Sequence, residues 1–308
     1  MWRITLLFRN IYLRVTVTFL RTVYKLTRPT TITTNLDTKL QIPSRDKGRY
    51  IQAHLYTKNS ISTTHTNNNT ANNPQPILLN FHGSAMIFPA FGTDNDFCTY
   101  ISKTTNHLVL DINYRKSPEN PFPAALNDIQ DSIQWILSQP HKYNQSQISL
   151  SGFSSGGNLA IVAATSLFPK DTFHSILTFY PGVDMASDPS LKVAPDKTGK
   201  LIPPAIARFF HNCYIPPGID ARDPRISPIF ADLRNFSSRL LIVTAARDNM
   251  APEAEEFGLR VERESGSEVV VKRMEECEHG WDKNLNAGEV QEEAKWRAYS
   301  LAVDMLEK

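Results

Sequence analysis

The first thing this chain lacks is acid at its amino terminus: no Asp or Glu occurs before Asp37. Cysteine is scarce as well. The three thiols, Cys98, Cys213 and Cys277, are widely spaced and show no C-x-x-C pattern, so neither a disulfide framework nor a cysteine metal site is expected. Reduced thiols in a cytoplasmic setting are the expectation. Excess charge is missing too, with 33 Lys and Arg against 31 Asp and Glu for a net charge of +2. No overall field favours a nucleic acid or another charged polymer as partner.

Long uncharged runs are absent from MWRITLLFRNIYLRVTVTFLRTVYKLTRP. The stretches between Arg3 and Arg9 and between Arg14 and Arg21 fall far short of the roughly 18 residues a membrane span needs. Arg9 also interrupts the apolar core a secretory signal would need. On a helix at about 100° per residue, Arg3, Arg14, Arg21, Lys25 and Arg28 form one stripe, and Phe8, Ile11, Val15, Phe19 and Leu26 another. The spacing predicts a basic amphipathic helix, continuous or broken. Three roles remain open for residues 1–28: a peripheral membrane contact, an organelle-targeting peptide, or a helix laid over the protein's own active-site mouth.

What is present beyond Pro29 reads as α/β. Residues 39–57 form two strands around an Asp-Lys-Gly turn, and the polar stretch NSISTTHTNNNTANNPQP forms a long surface loop whose sequon is Asn68-Asn69-Thr70. ILLNF (77–81), HLVLDIN (107–113), QISLS (147–151), HSILTFY (174–180), RLLIVTA (239–245) and EVVVKRM (268–274) are short apolar runs suited to buried parallel strands. Helical patterns at 122–139 and 254–265 lie between some of them. Alternation of this kind predicts a mostly parallel sheet wound by right-handed crossovers. The proline- and aromatic-rich interval from Asp184 to Arg222 breaks the rhythm and reads as an inserted cap. The division predicted is a helical cap segment over 1–38 and a catalytic domain over 39–308, with the insertion at 184–222.

One motif carries chemistry. Gly152-Phe153-Ser154-Ser155-Gly156 is a G-x-S-x-G pentapeptide between a predicted strand and a predicted helix, the setting of a nucleophile elbow. The plainer alternative is a glycine-rich strand-to-helix turn. A serine hydroxyl needs a histidine to take its proton and a carboxylate to orient the imidazole, in the chain order Ser, acid, His, each after a later strand. Asp248 follows RLLIVTAAR, and His279 follows EVVVKRM in ECEHGW. Glu253 is the rival acid, better placed to begin the next helix. Oxyanion donors are expected at the Ser155 N–H and in the loop His82-Gly83-Ser84-Ala85.

With HGSA, NYRKSPENPFPAALND (113–128), SGFSSGGNLA, DPRISP (223–228) and EHGW together, the chain resembles the hormone-sensitive-lipase-like family of α/β hydrolases over residues 77–282. The resemblance implies an α/β-hydrolase fold with a helical cap, and a triad of Ser154, Asp248 and His279. It also implies oxyanion donors at Gly83, Ser84 and Ser155, with His82 holding the loop by hydrogen bonds. Phe153, Phe209, Phe210 and Tyr214 are candidates for the acyl pocket, with a packed cap core as the alternative. No metal or other cofactor is implied. The substrate expected is a short or medium acyl ester, such as a small acetylated natural product of secondary metabolism. Two further functions stay open: hydrolysis of an amide, formamide, lactone or thioester, and ligand binding without catalysis. Ser84 and Ala85 stand where the family usually has glycine, so either the loop backbone is ordinary or it bears the cost of a positive φ, on the order of 1–2 kcal/mol.

Overall fold

The computed structural model describes residues 2–27, 38–58, 73–236, 238–284 and 288–308; the sequon loop and His65 lie outside them. Helix α1 (Trp2–Thr27) precedes the hairpin β1 (Thr38–Pro43) and β2 (Tyr50–Tyr56). Then come β3 (Gln75–Phe81), α2 (Asn95–Thr104), β4 (Leu108–Ile112), α3 (Ala124–Leu137), β5 (Tyr143–Phe153) and α4 (Ser155–Val162). The chain continues through β6 (Ser175–Phe179), α5 (Pro204–Tyr214), β7 (Arg239–Arg247), α6 (Ala251–Ser265), β8 (Val269–Glu278) and α7 (Glu289–Leu306).

These strands form one sheet in the order β1-β2-β4-β3-β5-β6-β7-β8. The pairs β1–β2 and β2–β4 are antiparallel and the rest parallel. The hairpin closes through Gly48 at φ 79°, a conformation that favours glycine. Alternation explains the apolar runs. In β3, Ile77, Leu79 and Phe81 face one core and Leu78 the other; in β7, Leu240 and Ile242 oppose Leu241 and Val243. Helices α3, α4 and α6 cover the first face, and α2 and α7 the second. The predicted strands and the helices at 122–139 and 254–265 are all present, within a few residues at their ends. Helix α7 carried little sequence signal because its buried face is built partly from Lys295, Ala298 and Ala302. The interval 184–222 contains α5 and no strand, as its composition suggested.

Helix α1 is continuous and lies against the protein, but not by the apolar stripe that its periodicity singled out. Leu13 and Val17 are buried against Ile87 and Cys213, while Phe8, Ile11, Val15, Phe19 and Leu26 are exposed. Arg21 ties the helix down, donating to the carbonyls of Ile87 (2.8 Å) and Ser117 (2.7 Å) and pairing with Glu119 at 2.9 Å. No helix among the described residues is long and apolar enough to cross a membrane.

The segment 113–128 is held by its own ends. Asp128 is fully buried and accepts from the Arg115 N–H at 2.9 Å, while its carboxylate pairs with Arg115 at 2.8 Å and Arg49 at 2.6 Å. A buried carboxylate is tolerated only when so paired, and removing one partner strands the others. Asp128→Ala is therefore expected to lower the unfolding free energy by about 3 kcal/mol. Asp46→Ala, which removes a half-exposed partner of Arg115, should cost less than about 1 kcal/mol. Urea unfolding of both variants checks the contrast.

Candidate active site

The turn after β5 places Ser154 at φ 52° and ψ −117°, strained for a residue with a Cβ. Its N–H donates to the Phe179 carbonyl at 2.9 Å, which anchors the turn to β6. The flanking glycines are steric necessities. A Cβ on Gly156 would sit 1.8 Å from the Phe81 carbonyl oxygen, and one on Gly152 would sit 2.2 Å from that of Gly156. Asn158, one turn into α4, donates to the carbonyls of Gly182 (2.8 Å) and Ile226 (3.0 Å), so the DPRISP segment packs against the elbow helix.

Parallel pairing brings the ends of β5, β6, β7 and β8 to one edge of the sheet. Ser154 Oγ lies 2.9 Å from His279 Nε2, and His279 Nδ1 lies 2.7 Å from Asp248 Oδ2, across sequence separations of 125 and 31 residues. Asp248 is almost wholly buried, and its other oxygen accepts the Met250 N–H at 3.0 Å. Glu253 sits in the first turn of α6 and pairs with Lys192 at 2.5 Å; burial pushes its carboxyl up to about 7. It makes no contact with His279.

Sequence reasoning missed the support behind His279. The Tyr180 ring meets the imidazole edge-on, with centroids 4.8 Å apart. Its O–H donates to Asp282 Oδ1 at 2.5 Å, and the Tyr299 O–H donates to Asp282 Oδ2 at 2.8 Å. Lys283 Nζ bridges Asp282 (2.8 Å) and Asp94 (3.0 Å). Burial opposes charge on both, but Lys283 and the hydrogen bonds hold the Asp282 carboxyl below its ordinary range, and the two carboxylates raise Lys283 above its own. The signal was the Asp-Lys pair directly after EHGW.

The HGSA loop is only partly as expected. Ser84 itself avoids positive φ, whereas Ala85 (47°) and Met86 (61°) adopt it, so the missing glycine is felt at 85. The Ser84 N–H, expected to face an oxyanion, donates to Ser155 Oγ at 2.9 Å. Ser84 Oγ in turn lies 2.8 Å from Tyr114 Oη, whose O–H donates to the His82 carbonyl at 2.6 Å. His82 corrects the expectation of side-chain hydrogen bonds: neither ring nitrogen has a partner among the described residues, and the imidazole instead stacks on Tyr114 with centroids 4.7 Å apart. Full burial, with Lys116 and Lys283 nearby, drives its pKa well below 6.5, so it packs as a neutral ring.

Above Ser154 is a cavity of about 460 Å³ whose walls include Tyr24 of α1, Phe88, Phe210, Tyr214 and Met250. Phe210 and Tyr214 of the pocket candidates reach it directly. Phe209 does not line it and instead meets Tyr12 of α1 edge-on at 6.4 Å. Phe153 lies at the floor, its ring stacked on Phe179 at 4.4 Å with Lys283 Nζ 3.9 Å from its centroid. Among the described residues no group of three or more His, Cys, Asp or Glu side chains is placed to hold a metal ion.

Comparison with known proteins adds three findings. A family profile described as the α/β hydrolase fold matches residues 78–283. Carboxylic ester hydrolase LipN of Mycobacterium tuberculosis is 26% identical over 216 residues, covering 67% of this chain and 57% of that one. Versiconal hemiacetal acetate esterase of Aspergillus parasiticus is 34% identical over 101 residues, 33% of this chain and 31% of that one. Set against three curated relatives, the chain spans 57% to 65% of their length. The fold is shared with the monoclinic form of the Pyrobaculum calidifontis esterase, with TM-score 0.76, 22% identity and coverage of 98% and 97% of the two chains.

The glycine geometry generates a stability prediction. Gly156→Ala forces backbone against backbone and is expected to cost more than about 4 kcal/mol, to the point of failed folding. Gly288→Ala, where a Cβ meets open space at the N-cap of α7, should cost no more than about 1 kcal/mol, the difference between glycine and alanine at a cap. Urea unfolding of the pair distinguishes steric necessity from a general intolerance of alanine.

Proposed function

The chain belongs to the α/β hydrolase fold family, in its hormone-sensitive-lipase-like branch, and on that premise we propose that it hydrolyses carboxylic esters through an acyl-enzyme on Ser154. The observation that carries this reading is the unbroken hydrogen-bond chain from Ser154 Oγ through both nitrogens of His279 to Asp248. Two bonds of 2.9 and 2.7 Å orient Nε2 to accept the serine proton while Nδ1–H remains on the carboxylate.

In this mechanism Ser154 attacks the acyl carbon as His279 takes its proton. The negative charge that develops on the carbonyl oxygen is stabilised by the backbone N–H groups of Gly83 and Ser155. Ser84 contributes only when its N–H leaves Ser155 Oγ. His279 then protonates the departing alcohol, and a water activated by the same imidazole releases the acid. The cavity volume suits an acyl or alcohol group of modest size. The Aspergillus parasiticus relative supports an acetylated small metabolite as the substrate class. Helix α1 and the segment 184–222, both adjoining the cavity, are assigned as its cap over a catalytic domain of residues 39–308. Three buried thiols fit a reducing, cytoplasmic setting.

A second reading is favoured by one observation. Because the Ser84 N–H is already donated to Ser155 Oγ, the fold could serve as a small-molecule receptor with a weakened oxyanion site. The two readings part under assay with p-nitrophenyl acetate, butyrate and octanoate. The esterase reading expects turnover and fluorophosphonate labelling of the wild type, both abolished in Ser154→Ala, with kcat reduced roughly 10³- to 10⁴-fold in Asp248→Asn. Ser155→Ala should raise kcat several-fold by freeing a donor worth about 1 kcal/mol. A folded wild type that neither turns over nor labels would favour the receptor.

A further inference from the structure

The apolar side chains of α1 occupy two faces of the helix. The inner face packs Leu13 and Val17 against Ile87 and Cys213 and sets Tyr24 on the wall of the cavity. The outer one is left bare: Phe8 is 66% exposed, Val15 65%, Phe19 66% and Leu26 81%. From Phe8 to Leu26 this row runs about 27 Å along the axis at the α-helical rise. Solitary exposed apolar residues are ordinary, but a continuous row of this length is not.

The polar groups along the row add to its apolar character. The hydroxyls of Thr18, Thr22 and Thr27 donate back to the carbonyls of Arg14 (2.8 Å), Thr18 (2.9 Å) and Val23 (2.9 Å). Their donor hydrogens are spent inside the helix. On one flank stand Arg14 and Lys25, exposed and in no ion pair among the described residues. The segment Trp2–Thr27 holds five basic side chains and no acidic one. Self-association through this face would bring two such cationic helices together and be opposed by repulsion. An anionic surface with an apolar interior satisfies both features at once.

We propose that the outer face of α1 docks onto an anionic lipid surface, with Phe8, Val15, Phe19 and Leu26 entering the headgroup–acyl boundary and Arg14 and Lys25 meeting the lipid phosphates. The helix lies in the interface plane and keeps its inner contacts. The cavity is then held beside the bilayer, so an ester dissolved in the membrane enters near Tyr24. Only that consequence for substrate entry rests on the esterase reading; docking does not.

The test is flotation of the full chain with vesicles of phosphatidylcholine, with or without phosphatidylserine. Wild type is expected to float with the anionic vesicles, less so at high salt. Phe8→Ser/Val15→Ser/Phe19→Ser, which alters only outward-facing side chains, should lower vesicle affinity more than roughly tenfold. Its thermal midpoint and its hydrolysis of p-nitrophenyl butyrate in lipid-free buffer should be unchanged. Arg14→Gln/Lys25→Gln should weaken binding and flatten its salt dependence. Failure of wild type to float, or equal flotation of the triple variant, would overturn the proposal. So would a wild-type dimer that the triple variant converts to monomer without either binding vesicles. Flotation that depends on the row in a protein without hydrolytic activity would support docking and reject the esterase reading.

Discussion

The site depends on how closely α4 approaches the sheet. Where β5 gives way to α4, the backbone of Gly156 passes so near the Phe81 carbonyl that no side chain fits between them. That contact ties the elbow to the end of β3, and the β3–α2 loop begins at the next residues, His82 and Gly83. Candidate nucleophile and candidate oxyanion loop are thus set by one steric constraint. The strained φ of Ser154 is sustained by its N–H bond to β6 and by the helix that starts directly after it.

Around this point polar groups are buried at a density that would be destabilising if any were left alone. They are mostly not alone. Asp282 accepts from two tyrosines and from Lys283, and Lys283 also reaches Asp94, which takes a hydrogen bond from Asn80 at 2.9 Å. The web connects the wall of the cavity to the middle of the sheet and leaves the Tyr180 ring braced against His279. His82 is one exception, and the Tyr214 hydroxyl and Trp281 Nε1 likewise lack a partner among the described residues. The unpartnered nitrogens of His82 are accommodated by keeping the ring neutral and stacked on an aromatic face.

The side of the cavity lined by α1 follows different physics. There α1 is held by a narrow apolar seam, by Arg21 reaching three partners and by Arg9 donating to the Asn212 carbonyl at 2.6 Å. A helix attached by one seam can present its opposite face to another phase without disturbing the sheet.

Much of this was legible in the residues alone. Runs such as RLLIVTA are apolar on both faces because both faces of a parallel strand are covered, and that is a local property of seven residues. The elbow, and the order Ser154, Asp248, His279 after β5, β7 and β8, are likewise carried by short patterns and by topology. The fate of the Ser84 amide was not. It depends on Ser155, 71 residues away, just as the brace behind His279 depends on Tyr180 and Asp282, 102 residues apart. For α1, periodicity established an amphipathic helix, but Leu13 and Val17 are as apolar as Val15 and Phe19. Sequence alone therefore determined the fold, the elbow and the likeness to a family. Tertiary structure decided which donors are occupied and which face of the first helix is left to solvent, because hydrogen bonds and burial belong to residues that meet only once the chain has folded.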